Sequence, residues 1–193
     1  TGSGGSYPIS TDRVAWAVGA WELLRHLHGA TRDAFAARAY EAVSNTIDHD
    51  REVAFDPEDG LYRGEQSFLD WREQTYPEWT ATDVVHLGMS KSLGTNLLHV
   101  RAIELAAFLA DERGEASERT RFAGYAADLR EAISERFWLE EEGQFSTFVT
   151  TSLDPAPVRR YDALASAFAV LFDVATEAQA ERILESYPHY GPG

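Results

Sequence analysis

Cysteine is absent from the 193 residues, which excludes disulfides, thiolate metal ligands and a cysteine nucleophile while leaving the cellular compartment open. The sequence also lacks HExxH, EF-hand and zinc-finger spacings and a glycine-rich phosphate loop. GMSKS around Ser90 is not the GxSxG elbow of a serine hydrolase. His86, His99 and His189 are scattered, and His26 and His28 suit the negative end of a helix dipole, so no metal or other cofactor is expected. No apolar run reads as a span of roughly 20 residues, and the start TGSGGSYP has neither the basic nor the apolar region of a signal peptide. Positive charge is scarce. Seventeen basic against 32 acidic side chains leave a net charge of −15, which repels phosphate backbones and anionic bilayers. Neither nucleic acid nor a membrane is an expected partner, and a neutral substrate is compatible with this balance.

What is present is an ordinary globular composition, 44% hydrophobic and 25% charged, in a chain long enough to bury a core without staples. Residues 1–10 read as a flexible lead-in and 11–193 as one domain. The glycine- and serine-rich start and the ending ESYPHYGPG suggest a chain cut from something longer.

The periodicity predicts an all-α fold. Thr11 is placed to cap a helix over 12–28, with Val14, Ala17, Val18, Trp21 and Leu24 at helical spacing, and Gly29 to stop it. A second helix over 32–49 follows, capped by Thr31, with Phe35, Ala39, Ala42, Val43 and Ile47 inward. The third begins after Gly94 and runs to Glu112, and the fourth covers 117–138 with Phe122, Tyr125, Leu129, Ile133 and Phe137 inward. A fifth spans 162–172, and a sixth starts at Thr176, whose pairing with Gln179 fits a capping box. The three pairs are tight at Gly29, Gly114 and 173–175 and loose at 50–93 and 139–160. If each pair is antiparallel, the loose connections emerge at one end, where loops on a rigid scaffold build a site. Within the second connection, GQFSTFVTT at 143–151 suits a strand, with 158–161 a candidate partner across the turn at 154–157.

In the first connection, from Phe55 to Trp79, seven carboxylates alternate with aromatic rings, a mixture suited to binding and hydrolysing a sugar. Glycosidic hydrolysis needs one protonated carboxyl group and a second carboxylate as base or nucleophile. Asp56, Glu58 and Asp59 surround Pro57 and Gly60, for which local turn hydrogen bonding is the simpler account. Glu65, Asp70 and Glu73 are interleaved with Tyr62, Phe68, Trp71 and Tyr76, whose partial burial favours a neutral carboxyl group. Pairing with Arg63 or Arg72 is the alternative account of these acids. Tyr62, Trp71, Tyr76 and Trp79 are candidate sugar-stacking rings, whereas Trp16, Trp21 and Trp138 suit the core. Asp12 and Arg13 lie in the first turn of the first helix, where the guanidinium is unfavourable and invites a partner, either a substrate hydroxyl or a loop carboxylate. Arg159, Arg160 and Asp162 precede the fifth helix, where Asp162 is a cap, a ligand contact, or both.

LYRGEQSFLDWREQTYPEW, then SKSLGTN at 90–96, RRYDALASAFAVLF at 159–172 and YPHYGPG resemble glycoside hydrolases of the six-hairpin class, and STDRVAWAVGAWELL is similar to that class at its first hairpin. The resemblance runs through nearly the whole chain. It implies an (α/α)6 toroid, of which three hairpins are counted here, with catalytic carboxylates on loops at one end and often an inverting mechanism. Because SFLDW at 67–71 matches part of that pattern, the resemblance makes Asp70 the first choice for a catalytic carboxylate and Glu65 the second. It further implies that the remaining half, or a complementary chain, covers the first and last hairpins and supplies the partner carboxylate, with an α-glucoside among the expected carbohydrate substrates.

Two other readings stay open. A helical-repeat binding protein also stacks hairpins, but these hairpins are unequal and carry no fixed consensus. A sugar isomerase or epimerase on the same toroid would favour histidine as acid and base, and only His86 lies in the long loop.

Overall fold

A computed structural model describes residues 12–64, 89–149, 159 and 161–186. In it six helices account for most of the described chain: α1 (Asp12–His26), α2 (Gly29–Val53), α3 (Leu93–Glu112), α4 (Ala116–Phe137), α5 (Ala163–Leu171) and α6 (Glu177–Ser186). Three two-stranded pairs decorate them, formed from β1 (Phe55–Asp56), β2 (Leu61–Tyr62), β3 (Lys91–Ser92), β4 (Trp138–Leu139), β5 (Gln144–Phe145) and β6 (Phe148–Val149).

Each helix buries the stripe its sequence dictates. Val14, Ala17, Ala20 and Leu24 face inward on α1, and Phe122, Ala126, Leu129, Ile133 and Phe137 on α4. The central α3 is buried nearly all round, packing against α1, α2, α4 and α5, so Leu97, Leu98, Val100, Ile103, Leu105 and Leu109 point in every direction yet stay covered. Among the described residues this one helix is apolar and long enough to cross a membrane by length and mean composition, and 78% of its most apolar 18-residue window is buried inside the fold. Enclosure on all sides accounts for its composition.

Helix boundaries follow local chemistry. The Thr176 N–H donates to Gln179 Oε1 at 2.9 Å while the Gln179 N–H donates to Thr176 Oγ1 at 3.3 Å, the expected capping box. Asp162 Oδ1 accepts from the Leu164 and Ala165 N–H groups, each at 3.0 Å, to start α5. Ser92 caps α3 through the Thr95 N–H. The second helix differs from expectation, because it starts at Gly29 rather than Arg32 and continues to Val53, with His28 rather than Thr31 at its N-cap. Each tight turn holds one residue with left-handed backbone, Gly29 (φ 56°), Gly114 (φ 73°) and Asp173 (φ 53°).

The strand expectation for the second connection needs correction. Gln144–Phe145 folds back antiparallel on Trp138–Leu139, while Phe148–Val149 pairs with Lys91–Ser92 from the first connection. Arg159 and Tyr161 lie outside any strand. Register is set by burial: the Phe145 and Phe148 rings are fully enclosed, so each short segment takes whichever edge buries its ring.

Contacts across the helix ends sort the molecule into two faces. The start of α1, the end of α2 and the start of α3 meet through Arg13, Asp50 and His99. The Leu93 N–H donates to Thr147 O, and the Ser146 N–H to Phe137 O at the end of α4. This is the loop end. At the turn end, Arg32 pairs with Glu112, Tyr40 with Glu115 and Arg119 with Asp111. The described chain is all-α, three antiparallel helical pairs.

Candidate active site at the loop end

Two buried charge clusters organise this end. The first is centred on Asp50, which lies three residues after Ile47 on the buried stripe of α2 and is fully enclosed. Arg13 places a guanidinium nitrogen 2.9 Å from Asp50 Oδ1, although this oxygen and Arg13 Nε make no aligned hydrogen bond, so the contact is chiefly Coulombic. That partner explains an arginine in the first turn of a helix, and it is a helix carboxylate rather than a loop carboxylate. Asp50 Oδ2 faces His99 Nε2 at 3.2 Å, and His99 Nδ1 lies 2.8 Å from Thr95 O. A carbonyl only accepts, so Nδ1 carries hydrogen in the contact with Thr95. The Tyr62 ring stacks on His99 at a centroid distance of 3.9 Å.

Tyr62 is held by an unusual device. Asn96, fully buried on α3, accepts from the Tyr62 N–H at 2.8 Å and donates to Tyr62 O at 3.1 Å and Ser92 O at 2.9 Å. A side-chain amide thereby pairs with β2 as a neighbouring strand would. Burial pushes the Tyr62 hydroxyl up to about 12, with the Arg51 guanidinium pulling the other way. Arg51 is itself sandwiched between Phe55 (3.8 Å) and Tyr125 (4.0 Å).

The second cluster joins the β1–β2 hairpin to β3. Lys91 donates to Asp56 Oδ2 at 2.8 Å and Asp59 Oδ2 at 2.6 Å, and Arg63 reaches Asp56 Oδ2 at 2.7 Å. The turn bonds expected of this acidic segment are also present, from the Glu58 N–H to Asp56 and from the Leu61 N–H to Asp59. Burial alone would raise the Asp56 carboxyl, but hydrogen bonds from Lys91, the Glu58 N–H and Arg63 outweigh it and hold the group below the usual carboxylate range.

Of the residues expected from sequence, Arg13, Tyr62 and Asp162 fall at described positions, and Asp12 opens α1. Arg13 and Tyr62 are brought together around Asp50 and His99, while Asp162 caps α5. Tyr62 is fully buried, its ring stacked on His99 and meeting Phe55 edge-on, so no ring face is open for stacking. Glu65, Phe68, Asp70, Trp71, Arg72, Glu73, Tyr76, Trp79 and Arg160 lie outside the described residues. Trp16 and Trp21 pack against the core as expected, their indole N–H groups donating to Arg13 O and Arg101 O. No group of three or more histidine or carboxylate side chains forms a metal site among the described residues.

Sequence reasoning missed Asp50, Lys91, Asn96 and His99. For Asp50, Asn96 and His99 a signal existed, because each is a polar residue at a position that the helical pattern places in the interior, and buried polar groups persist only with partners; Lys91, in a two-residue strand, carried none.

Comparison with known proteins adds to this geometry. No curated protein matches the chain in sequence. Among solved structures, the fold resembles a GH78 family rhamnosidase of Bacillus sp. GL1, with 24% identity, a TM-score of 0.67, and coverage of 92% of this chain and 17% of that one. Neutral trehalase Nth1 from Saccharomyces cerevisiae is similar at 15% identity and TM-score 0.67, over 88% of this chain and 42% of that one. A rhamnosidase from Klebsiella oxytoca with rhamnose bound follows at 17% identity and TM-score 0.64, over 94% and 31%. The chain therefore spans less than half the length of each of these structures, and at such identities the likeness concerns the fold. The description of the bacterial alpha-L-rhamnosidase six-hairpin glycosidase domain, in contrast, matches residues 9–187, nearly the entire sequence. Sequence pattern, helical pairing and that match agree, and the chain belongs to this six-hairpin glycosidase domain family.

Proposed function

We propose that this chain is part of a glycoside hydrolase that cleaves an α-L-rhamnosidic bond by carboxylate acid and base catalysis with inversion. The single observation that carries the reading is the family match over residues 9–187. It favours rhamnose over the α-glucoside expected from sequence, and the charge of −15 suits a neutral sugar. Asp70, Glu65 and Glu73 are the proposed carboxylates, with Asp70 first. The rings Phe68, Trp71, Tyr76 and Trp79 and the polar groups of Asp12, Arg13, Arg72, Arg160 and Asp162 are proposed to bind the sugar. Tyr62 is retained as the buried support of that surface.

We further propose that additional hairpins, from the rest of the protein or a complementary chain, complete the toroid and the site. Leu23 on α1 is 49% exposed, and on the last pair Leu171 and Leu184 are 71% and 62% exposed, apolar surface suited to cover by neighbouring hairpins.

The test is to assay the full-length protein and this segment separately on α-L-rhamnosides, α-glucosides and other glycosides, alongside Asp70→Asn, Glu65→Gln and Glu73→Gln. Full activity surviving all three substitutions removes the catalytic carboxylates from this loop. The anomer released first, followed by NMR, decides inversion. A substrate-bound structure in which the two carboxyl groups stand about 6.5 to 9.5 Å apart agrees with inversion, and about 5 to 5.5 Å with retention.

A further inference from the structure

We infer that Lys91 is a positioning residue for the sugar site, a pin that holds the necks of both long connections in register, and this inference rests on the hydrolase reading above. Three passages of chain converge on it. Its ammonium group binds Asp56 and Asp59 of the β1–β2 hairpin, with only 7% of the side chain exposed. Its backbone stands opposite Val149 in the β3–β6 pair and bridges to Gly64 on the other side. The Gly64 N–H then donates to Ser90 O at 2.8 Å, closing the neck where the first connection leaves and returns. Val149 belongs to the second connection, over 139–160.

The chemistry of the pin argues for geometry over stability. Burying an ammonium is unfavourable before its partners offset the lost hydration, and an apolar replacement of similar volume often holds a fold as well. Two carboxylates on one hairpin, with Arg63 shared by Asp56, fix direction as well as proximity. A methionine would fill the space without fixing either. The side chain therefore ties the β1–β2 hairpin to β3, whose backbone in turn pairs with Val149 and Gly64, and a misplacement of about 1 Å in such a frame can cost on the order of 100-fold in rate.

The test uses the full-length protein with p-nitrophenyl α-L-rhamnoside and three variants, Lys91→Met, Lys91→Arg and Asp59→Asn, with Arg119→Met at the turn end as control. Lys91→Met is expected to lower kcat by more than 10-fold with a smaller change in KM, at a temperature where circular dichroism reports a folded protein. Lys91→Arg should restore most of kcat, and Asp59→Asn, which keeps the bond to Asp56, should fall between. Hydrogen exchange supplies a readout independent of turnover: the Gly64 amide is expected to exchange at least 10-fold faster in Lys91→Met while amides in the middle of α4 do not. Wild-type kcat in Lys91→Met, or a loss no greater than the unfolded fraction, overturns the inference. So does an unchanged Gly64 amide in both Lys91→Met and Asp59→Asn. If the wild-type protein hydrolyses no glycoside, the hydrolase reading falls, and the exchange measurement alone decides whether Lys91 pins the necks.

Discussion

At the loop end Asp50, His99 and Lys91 are themselves buried, each with a charged or polar partner, whereas at the turn end both members of the Arg32–Glu112, Arg113–Glu115 and Arg119–Asp111 pairs reach solvent. Both ends carry charge, but in different dielectric surroundings. A half-exposed pair gains little beyond what water already supplies, while an enclosed carboxylate is tied to its neighbours because it has no water to return to. Charge at the loop end is therefore constrained to one arrangement, and charge at the turn end is replaceable. A site that must hold several loops in register belongs at the constrained end.

Asp50→Ala breaks this comparison most severely. It leaves Arg13 without its carboxylate and His99 Nε2 facing a cavity, and losing one partner of such a buried pair costs about 3 to 5 kcal/mol. Urea unfolding of the two proteins measures the difference. A loss below about 1 kcal/mol, the range of exposed pairs, would mean that the two ends do not differ in kind.

Acid should sharpen the comparison through Asp56. Its folded-state carboxyl is depressed, so it binds protons less readily than in the unfolded chain, where the value is about 3.9. The stability it contributes is fully present above that unfolded value and is lost as pH falls through the lower folded one. Wild type should exceed Asp56→Asn in stability near pH 7, and the gap should close below about pH 4. Unfolding both in urea between pH 7 and pH 3 tests this, and a gap that widens on acidification contradicts the sign.

How far the sequence discloses this molecule depends on the kind of signal. Helix identity was legible because Ala39, Val43 and Ile47, or Phe122, Leu129, Ile133 and Phe137, repeat with the period of the helix itself. The Thr176–Gln179 box and the Asp162 cap were legible because their chemistry is local. The loop end was legible as a location once the pairs were counted. Its supporting residues were not, because Asp50 and His99 stand 49 residues apart and Lys91 and Asp56 stand 35 apart, so no local pattern links them. The strand partners failed for the same reason: two-residue strands carry no periodicity, and Phe148–Val149 found its edge at residues 91–92. Tyr62 was recognised as important, but the ring that composition offers to a sugar is spent on His99.

The smallest effects lie at the turn end, and their order tests what holds it. Gly114 adopts φ 73° with open space where a Cβ would project, so Gly114→Ala incurs backbone strain alone, about 1 to 2 kcal/mol. Arg119 and Asp111 stand 3.5 Å apart with side chains 54% and 70% exposed, and Arg119→Ala should cost at most about 0.5 kcal/mol, fading further in 1 M salt. If these exposed pairs mattered as the buried ones do, the order would reverse and added salt would destabilise the wild type while leaving Arg119→Ala unchanged. Thermal unfolding of the three proteins at low and high salt separates the cases. With Gly114→Ala the more damaging, the turn end is held by backbone conformation and its charges serve the surface, leaving the buried pairs opposite as the part of the molecule where electrostatics determines shape.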